Sequence, residues 1–288
     1  MTVEAPADRA TDARTLRRAT VLRRAPVTPG TVRVTLGGPE LAALPCVAPD
    51  GYLKMLFPLP GAAEPVLPEP PDDGDVSTWY RRYLVMPDDV RPPMRTYTLR
   101  ARRHTDAGTE IDVDVVLHEA GPGRDWALSA RPGDGVAFSG PYGLHAPRPE
   151  HDAQLLVGDA SAVPAVAAIV ESLPPGTPVD VVLAVSSDVE RQEWSSDGRV
   201  RITWLPVDGD PGDALLDEIA ARDLPGTHPY VWLAGEATVV RALRRHVRAR
   251  GVAVADICFC GYWRRGRTEE QVVADALAAA DRGETPED

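Results

Sequence analysis

Hydrophobic and polar positions follow two rhythms along the chain. Up to about residue 145 the rhythm is short and close to period two. "TVRVTLGG" (31–38) alternates and ends in glycines, and "YLKMLFPLP" (52–60) is a second strand halted by prolines. "RTYTLRAR" (95–102) reads as a single strand. "EIDVDVVLH" (110–118) alternates most cleanly, with Ile111, Val113, Val115 and Leu117 on one face and Asp112, Asp114, Val116 and His118 on the other. "GDGVAFSGPYG" (133–143) is a last short strand and turn. Residues 61–93, rich in Pro, Asp and Gly, read as an irregular excursion around an aromatic island, "STWYRRYLV". Short strands between Gly/Pro turns predict an antiparallel β-barrel.

After "APRPEHD" the pattern lengthens. "QLLVGD" (154–159), "VDVVLAVS" (179–186), "RVRITWLP" (199–206), "YVWLAGE" (230–236) and "DICFCGYW" (256–263) are strand-like runs. Between them lie helical segments at 161–174, 212–223 and 237–251. Strands alternating with helices predict a parallel α/β sheet. The chain therefore divides into a flexible N-terminus (1–16), a barrel domain (17–149), an α/β domain (150–267), and a C-terminal helix with a polar tail (268–288). Ligands of open α/β sheets sit at the carboxyl ends of the strands, so a second domain facing that edge makes a cleft for two ligands.

Composition narrows the function. A chain of 288 residues suits about two domains, and a net charge of −12 argues against nucleic acid as a partner. The three cysteines, Cys46, Cys258 and Cys260, form no disulfide framework and fit a reducing compartment. No run approaches the about 20 apolar residues of a membrane span, and the N-terminus lacks the apolar core of a secretory signal. A cytoplasmic monomer without membrane insertion is expected. The cations are almost all Arg; Lys54 is the only lysine, which fits either a compositional bias toward Arg or a specific role for that one side chain.

Four stretches carry candidate chemistry. In "RTYT" (95–98), Arg95 and Tyr97 share a strand face, where a guanidinium can fork onto a pyrophosphate and a ring can lie against a flat ligand. Taken alone, it also fits an ordinary barrel strand with a surface Arg. "HEAGPGRDWALSARPGDGV" (118–136) lets glycine backbone approach a ligand and then opens a helix, whose free N–H groups favour a diphosphate. "VGDASAVPAVAAI" (157–169) and "WLAGEATVVRAL" (232–243) end strands in Gly-Asp and Gly-Glu before helices, a dinucleotide-type position without the full glycine fingerprint. Arg241, Arg244, Arg245 and Arg248 on the following helix read as a solvated face. "CFCGYWRRGR" (258–267) places three Arg after two aromatics, either a basic rim or a wall for an anion. Two thiols are too few for a zinc site, and no metal site is expected.

These stretches, in this order and together with "TVRVTLGG", "LKMLFP", "MPDDVRPPMRTYTLR", "PGDGVAFSGPYG" and "GYWRRGRTEEQ", resemble the siderophore-interacting protein family of FAD-dependent ferric-siderophore reductases, within the ferredoxin–NADP⁺ reductase-like superfamily. The resemblance spans residues 17 to about 270 and implies an FAD-binding barrel with an NAD(P)H-binding α/β domain. It assigns Arg95 to the flavin phosphate, Tyr97 to its ring, and Thr98 to the edge where hydride arrives, with Tyr97 and Thr98 as the catalytic pair. The implied FAD set also includes Thr96, Asp114, Val116, His118, Gly121, Gly123, Arg124 and Trp126. The implied NAD(P)H set is Gly158, Asp159, Ser161, Ser187, Gly235 and Glu236. Lys54 matches a family lysine and, with Arg264 and Arg265, is implied in holding the anionic siderophore. In two respects the chain departs from the family: "GPGRDWA" puts Asp125 at a helix start where a phosphate is expected, and the "CFC" segment (258–260) is unusual.

The implied activity passes electrons from NAD(P)H through FAD to Fe³⁺, releasing Fe²⁺ in the cytoplasm; a ferredoxin is an alternative donor. Asp188 and Glu190 suit a free ribose 2′-hydroxyl and lean the donor toward NADH, whereas Arg191 and the serines beside them do the opposite. Two rival readings are a general NAD(P)H:flavin or quinone reductase and a non-enzymatic siderophore-binding protein.

Overall fold

The structure, a computed structural model, describes residues 16–69, 76–117 and 120–283. Its first part is a seven-stranded antiparallel sheet: β1 (Arg17–Thr28), β2 (Thr31–Gly37), β3 (Tyr52–Leu56), β4 (Met94–Thr98), β5 (Ala101–Thr105), β6 (Gly108–Val116) and β7 (Gly135–Tyr142). The strand order is β4-β3-β7-β1-β2-β6-β5. The hydrophobic pattern does not announce β1, because its outward positions are mostly Arg and Thr. Its inward Arg17, Ala19 and Val21 are buried, and it pairs with both β2 and β7.

"RTYTLRAR" is two strands rather than one. The chain breaks at Leu99 and Arg100, whose N–H groups donate to the carbonyls of Gly51 (2.7 Å) and Asp112 (2.9 Å). Consecutive β4 and β5 thus sit at opposite ends of the strand order, and the crossover between them curls the sheet round on itself. The aromatic island is also ordered: it is helix α1 (Val76–Leu84). One helical turn separates Trp79 from Tyr83, so their rings stack at 5.6 Å, and the buried Tyr83 hydroxyl donates to the Pro92 carbonyl at 2.9 Å. The inward face predicted for 110–118 does line the core: Ile111, Val113 and Val115 meet Val34, Leu36, Leu53 and Met55. Helix α2 (Pro122–Ser129) adds Trp126, whose ring lies 4.8 Å from that of Phe57.

The second part is a five-stranded parallel sheet of order β10-β9-β8-β11-β12, built from β8 (Ala153–Gly158), β9 (Pro178–Val185), β10 (Arg199–Pro206), β11 (Pro229–Glu236) and β12 (Ile257–Trp263). Apolar clusters on its two faces are covered by α3 (Val163–Glu171) on one side and by α4 (Gly212–Ala221) and α5 (Ala237–Ala249) on the other. Polar clasps join the two parts. Asp50, 2% exposed, accepts from the N–H groups of Leu144 and His145 and from the Trp232 indole (3.1 Å). Arg100 forks onto Glu171 with two 2.7 Å bonds. A final helix, α6 (Glu269–Asp281), returns to the barrel. Among the described residues no helix is long and apolar enough to cross a membrane.

Candidate functional site

The site begins on β4. Arg95 and Tyr97 share one face, and Thr96 and Thr98 the other, as strand alternation requires. The Tyr97 hydroxyl lies directly over Gly123 in the first turn of α2. A Cβ built at Gly123 would stand 1.9 Å from that oxygen, so only glycine fits there. Two motifs about twenty residues apart in sequence are thereby pressed together in space. Burial pushes the Tyr97 phenol up to about 12, and its ring meets Phe57 edge-on at 6.0 Å. Gly121, at φ 155°, caps α2 without any side-chain bond. First-turn N–H groups lack intrahelical partners and favour an anion. Arg95 shares the strand face of Tyr97, and Tyr97 meets the start of α2; a guanidinium, a ring and helix N–H groups are residue types that fit a cofactor carrying phosphate and a flat ring.

The opposite face of β4 looks into the cleft. Thr98, 5% exposed, pairs with Tyr52 on β3, and Thr96 pairs with Lys54. The Lys54 ammonium donates to Thr96 at 3.3 Å and lies 5.8 Å from the centroid of the Tyr80 ring. Tyr52 and Tyr142 pack with ring centroids 5.3 Å apart. Burial pushes the phenols of Tyr52 and Tyr80 up to about 12 and the Cys260 thiol up to about 11, so the charge here is that of Lys54 and its carboxylate partner.

Both cations of this region are held by α6. Glu269 accepts from Lys54 at 2.6 Å and from the Thr96 hydroxyl at 2.8 Å. Glu270 accepts from Arg95 at 2.6 Å, and from the Tyr83 hydroxyl (3.4 Å) and the Met94 N–H (3.3 Å). Burial works against the Lys54 charge, but Glu269 holds its pKa above the usual value; burial likewise opposes Glu270, and its own backbone N–H together with Arg95 keeps its carboxyl below the usual range. Sequence reasoning missed these carboxylates. "RTEEQ" reads as a helix start, and nothing in it signals a partner 215 residues away.

Around the parallel sheet's carboxyl edge the expected residues converge, largely on one another. Asp159 accepts from the Ser161 N–H and hydroxyl, from the Glu236 N–H (2.8 Å) and from the Trp263 indole (2.9 Å). Glu236 caps α5 through the N–H groups of Thr238 (2.6 Å) and Val239 (3.0 Å). Gly158 and Gly235 permit the tight packing: a Cβ would stand 2.4 Å from Ala162 Cβ at the first and 2.5 Å from Asp159 Oδ2 at the second. Ser187 lies just beyond β9 and forms no cap bond. Beside it a crevice of about 160 Å³ runs between the two parts, lined among others by Gly30, Val116, Ala160, Val185 and Ser186.

Several expected contacts find other partners. Asp114 is buried and bound bidentately by Arg33 (2.6 and 2.7 Å), so its carboxylate serves an ion-pair network rather than a ligand. Glu190 clasps the β1–β2 turn through Thr28 and the Gly30 N–H (2.8 Å), and Asp188 pairs with Arg191 at 2.5 Å; neither carboxylate is held toward a ribose. Arg124 pairs with Asp125 at 2.9 Å, which neutralises the unfavourable carboxylate at the helix start. Arg265 pairs with Asp210 at 2.9 Å, while Arg264 is exposed on the turn after β12. Neither touches Lys54 among the described residues. His118 lies outside the described residues.

A separate cluster, His151, His228 and Asp256, lies near the amino ends of the strands, with its ligand atoms within 4.8 Å of one another. His151 Nδ1 accepts from the Arg148 N–H at 2.7 Å, so its proton sits on Nε2 and is donated to Asp256. A metal at Nε2 would force that proton onto Nδ1, against an N–H donor. Arg148 also holds the Asp256 carboxylate. The cluster is a satisfied ion-pair network.

The chain matches known proteins over most of its length. Residues 20–145 match the siderophore-interacting FAD-binding domain and residues 151–266 match the siderophore-interacting protein model. The chain is 31% identical to ferric vibriobactin reductase ViuB of Vibrio cholerae, over 86% of this chain and 89% of ViuB. It is 30% identical to the NADPH-dependent ferric-chelate reductase of Escherichia coli, over 86% and 92%. The crystal structure of a siderophore utilization protein from T. fusca superposes with a TM-score of 0.75 at 34% identity, covering 88% of this chain and 94% of that one. The chain belongs to the siderophore-interacting protein family, with its FAD-binding barrel and its ferredoxin–NADP⁺ reductase-like fold.

Proposed function

We propose that this protein is an FAD-dependent reductase of ferric siderophores, taking electrons from NADH or NADPH and releasing Fe²⁺. The observation that carries the reading is the contact of Tyr97 with Gly123, which joins the strand bearing Arg95 to a helix start without a side-chain cap, while Lys54 pairs with Thr96 on the other face of that strand. Bound FAD would supply what nicotinamide lacks, acceptance of a hydride followed by delivery of electrons singly to iron. The chain's own residues bind and orient. Arg95 and the α2 N–H groups take the diphosphate, Tyr97 lies against the ring, and buried Thr98 offers a hydroxyl at the ring edge. Lys54 attracts the anionic ferric complex at the cleft. The crevice beside Ser187 and Val185 is where a nicotinamide nucleotide enters, at the carboxyl edge of the sheet. No proton donor is required at the iron, because hard oxygen ligands hold Fe²⁺ less tightly than Fe³⁺. A reducing cytoplasm suits this release, and a ferredoxin in place of NAD(P)H is a second donor to compare.

The test is a flavin titration followed by donor comparison. Added FAD should bind with a perturbed visible spectrum, and NADH or NADPH should bleach it; kcat/KM for the two nucleotides then names the donor. A protein that leaves the FAD spectrum and fluorescence unchanged contradicts the reading.

A further inference from the structure

Helix α6 is attached in an unusual way. It has thirteen residues, none of them buried, and among the described residues no apolar cluster includes it. Val272, Val273 and Leu277 are half-buried, and the side-chain contacts that bind the helix to the barrel are chiefly ion pairs. Glu269 holds Lys54, Glu270 holds Arg95, and Asp281 pairs with Arg81 on α1 at 2.5 Å. The start of the helix is fixed locally, although thirteen residues alone make a marginal helix that frays once detached. Thr268 and Gln271 make a reciprocal capping box, with bonds of 2.9 and 3.3 Å, and the body is rich in Ala. The two glutamates sit in the first turn, where the helix dipole favours them.

Two of the three ion pairs engage the cations that the proposed function assigns to ligand anions. A carboxylate on each is a stand-in for a phosphate or for an anionic iron complex. Resting on that functional reading, we propose that α6 is an electrostatic latch: Glu269 and Glu270 occupy Lys54 and Arg95 until a ligand anion displaces them, and the helix detaches as one unit. Ion pairs are exchangeable in a way that a buried apolar face is not, and they weaken with salt. Displacement is therefore a competition between anions, and the apparent ligand affinity is lowered by the fraction of protein that is latched. The arrangement also keeps two cations paired while no ligand is present.

The test uses the full chain, wild type and E269Q/E270Q. The double substitution keeps Thr268 and Gln271, so the helix retains its cap. FAD binding is read by fluorescence, and amide exchange across residues 269–281 is read by mass spectrometry, with FAD or inorganic pyrophosphate as the added anion. The latch predicts that the variant binds FAD about tenfold more tightly than wild type and that this gap narrows as salt rises. It also predicts that either anion speeds exchange along α6 in the wild type. Equal or weaker FAD binding by the variant, or exchange that slows on adding FAD, overturns it. If neither protein binds FAD, the flavin reading fails and pyrophosphate decides the latch: faster exchange along α6 upholds it, unchanged exchange overturns it.

Discussion

Two pairs of carboxylates frame the cleft, and they are held in opposite ways. Asp159 and Glu236, at the edge of the parallel sheet, are buried and spend their oxygens largely on backbone N–H groups. Glu269 and Glu270, on the barrel side, are partly exposed and spend theirs chiefly on Lys54 and Arg95. A backbone donor has nowhere else to go, so the first pair belongs to the fold. A side-chain cation can exchange one anion for another, so the second pair belongs to the site. The partner, more than the carboxylate, tells structural from functional acid here.

Breaking the first pair should have the largest effect on stability. Asp159→Ala strips partners from the Ser161 and Glu236 N–H groups and from the Trp263 indole, and should cost about 3 kcal/mol in urea unfolding. A loss below about 0.5 kcal/mol would remove the contrast. On the barrel side, Gly123→Ala forces a methyl into the Tyr97 hydroxyl. FAD affinity should fall by at least about tenfold while the far-ultraviolet spectrum is retained. Lys54→Ala should lower ferrous release at subsaturating ferric siderophore by about tenfold and leave the flavin spectrum in place. The smallest effect concerns the cysteines. Cys46 is exposed, whereas burial pushes the thiols of Cys258 and Cys260 up to about 12 and about 11. Burial disfavours the thiolate, so at pH 8 one equivalent of iodoacetamide should react quickly and two slowly.

The sign of the pH dependence follows from the same pairs. Glu270 has a lowered pKa in the fold, so its contribution to docking α6 is present above the ordinary carboxylate pKa of about 4.3 and is lost as pH falls through the lower folded value. Near neutral pH, salt rather than acid should loosen the helix.

Much of this was legible in the residues. The strand read in "RVRITWLP" matches β10 from Arg199 to Pro206, and the strand–helix rhythm predicts the parallel sheet. The barrel was harder, because β1 hides its inward residues among arginines, and no local signal splits "RTYTLRAR" across the two ends of the sheet. Proline and acidic neighbours disguise α1, whose aromatic spacing is helical nonetheless. In the site, spacing alone brought Arg95 and Tyr97 to one face, and glycine chemistry pointed to Gly121 and Gly123. The partners of Asp114 and Glu190, and the reach of Glu269 and Glu270 across the barrel, are long-range pairings that no local pattern encodes.

Flavin held at β4 would reduce the iron of a ferric siderophore drawn in by Lys54. The most direct measurement is an anaerobic single turnover. Protein loaded with FAD and reduced by NADH or NADPH is mixed with a ferric siderophore and a ferrous-specific chelator, while flavin and ferrous absorbance are followed together. The account predicts that flavin reoxidation and ferrous complex appear at the same rate, with two Fe²⁺ per flavin. Reduced flavin that persists beside ferric siderophore, with no ferrous complex formed, would contradict it.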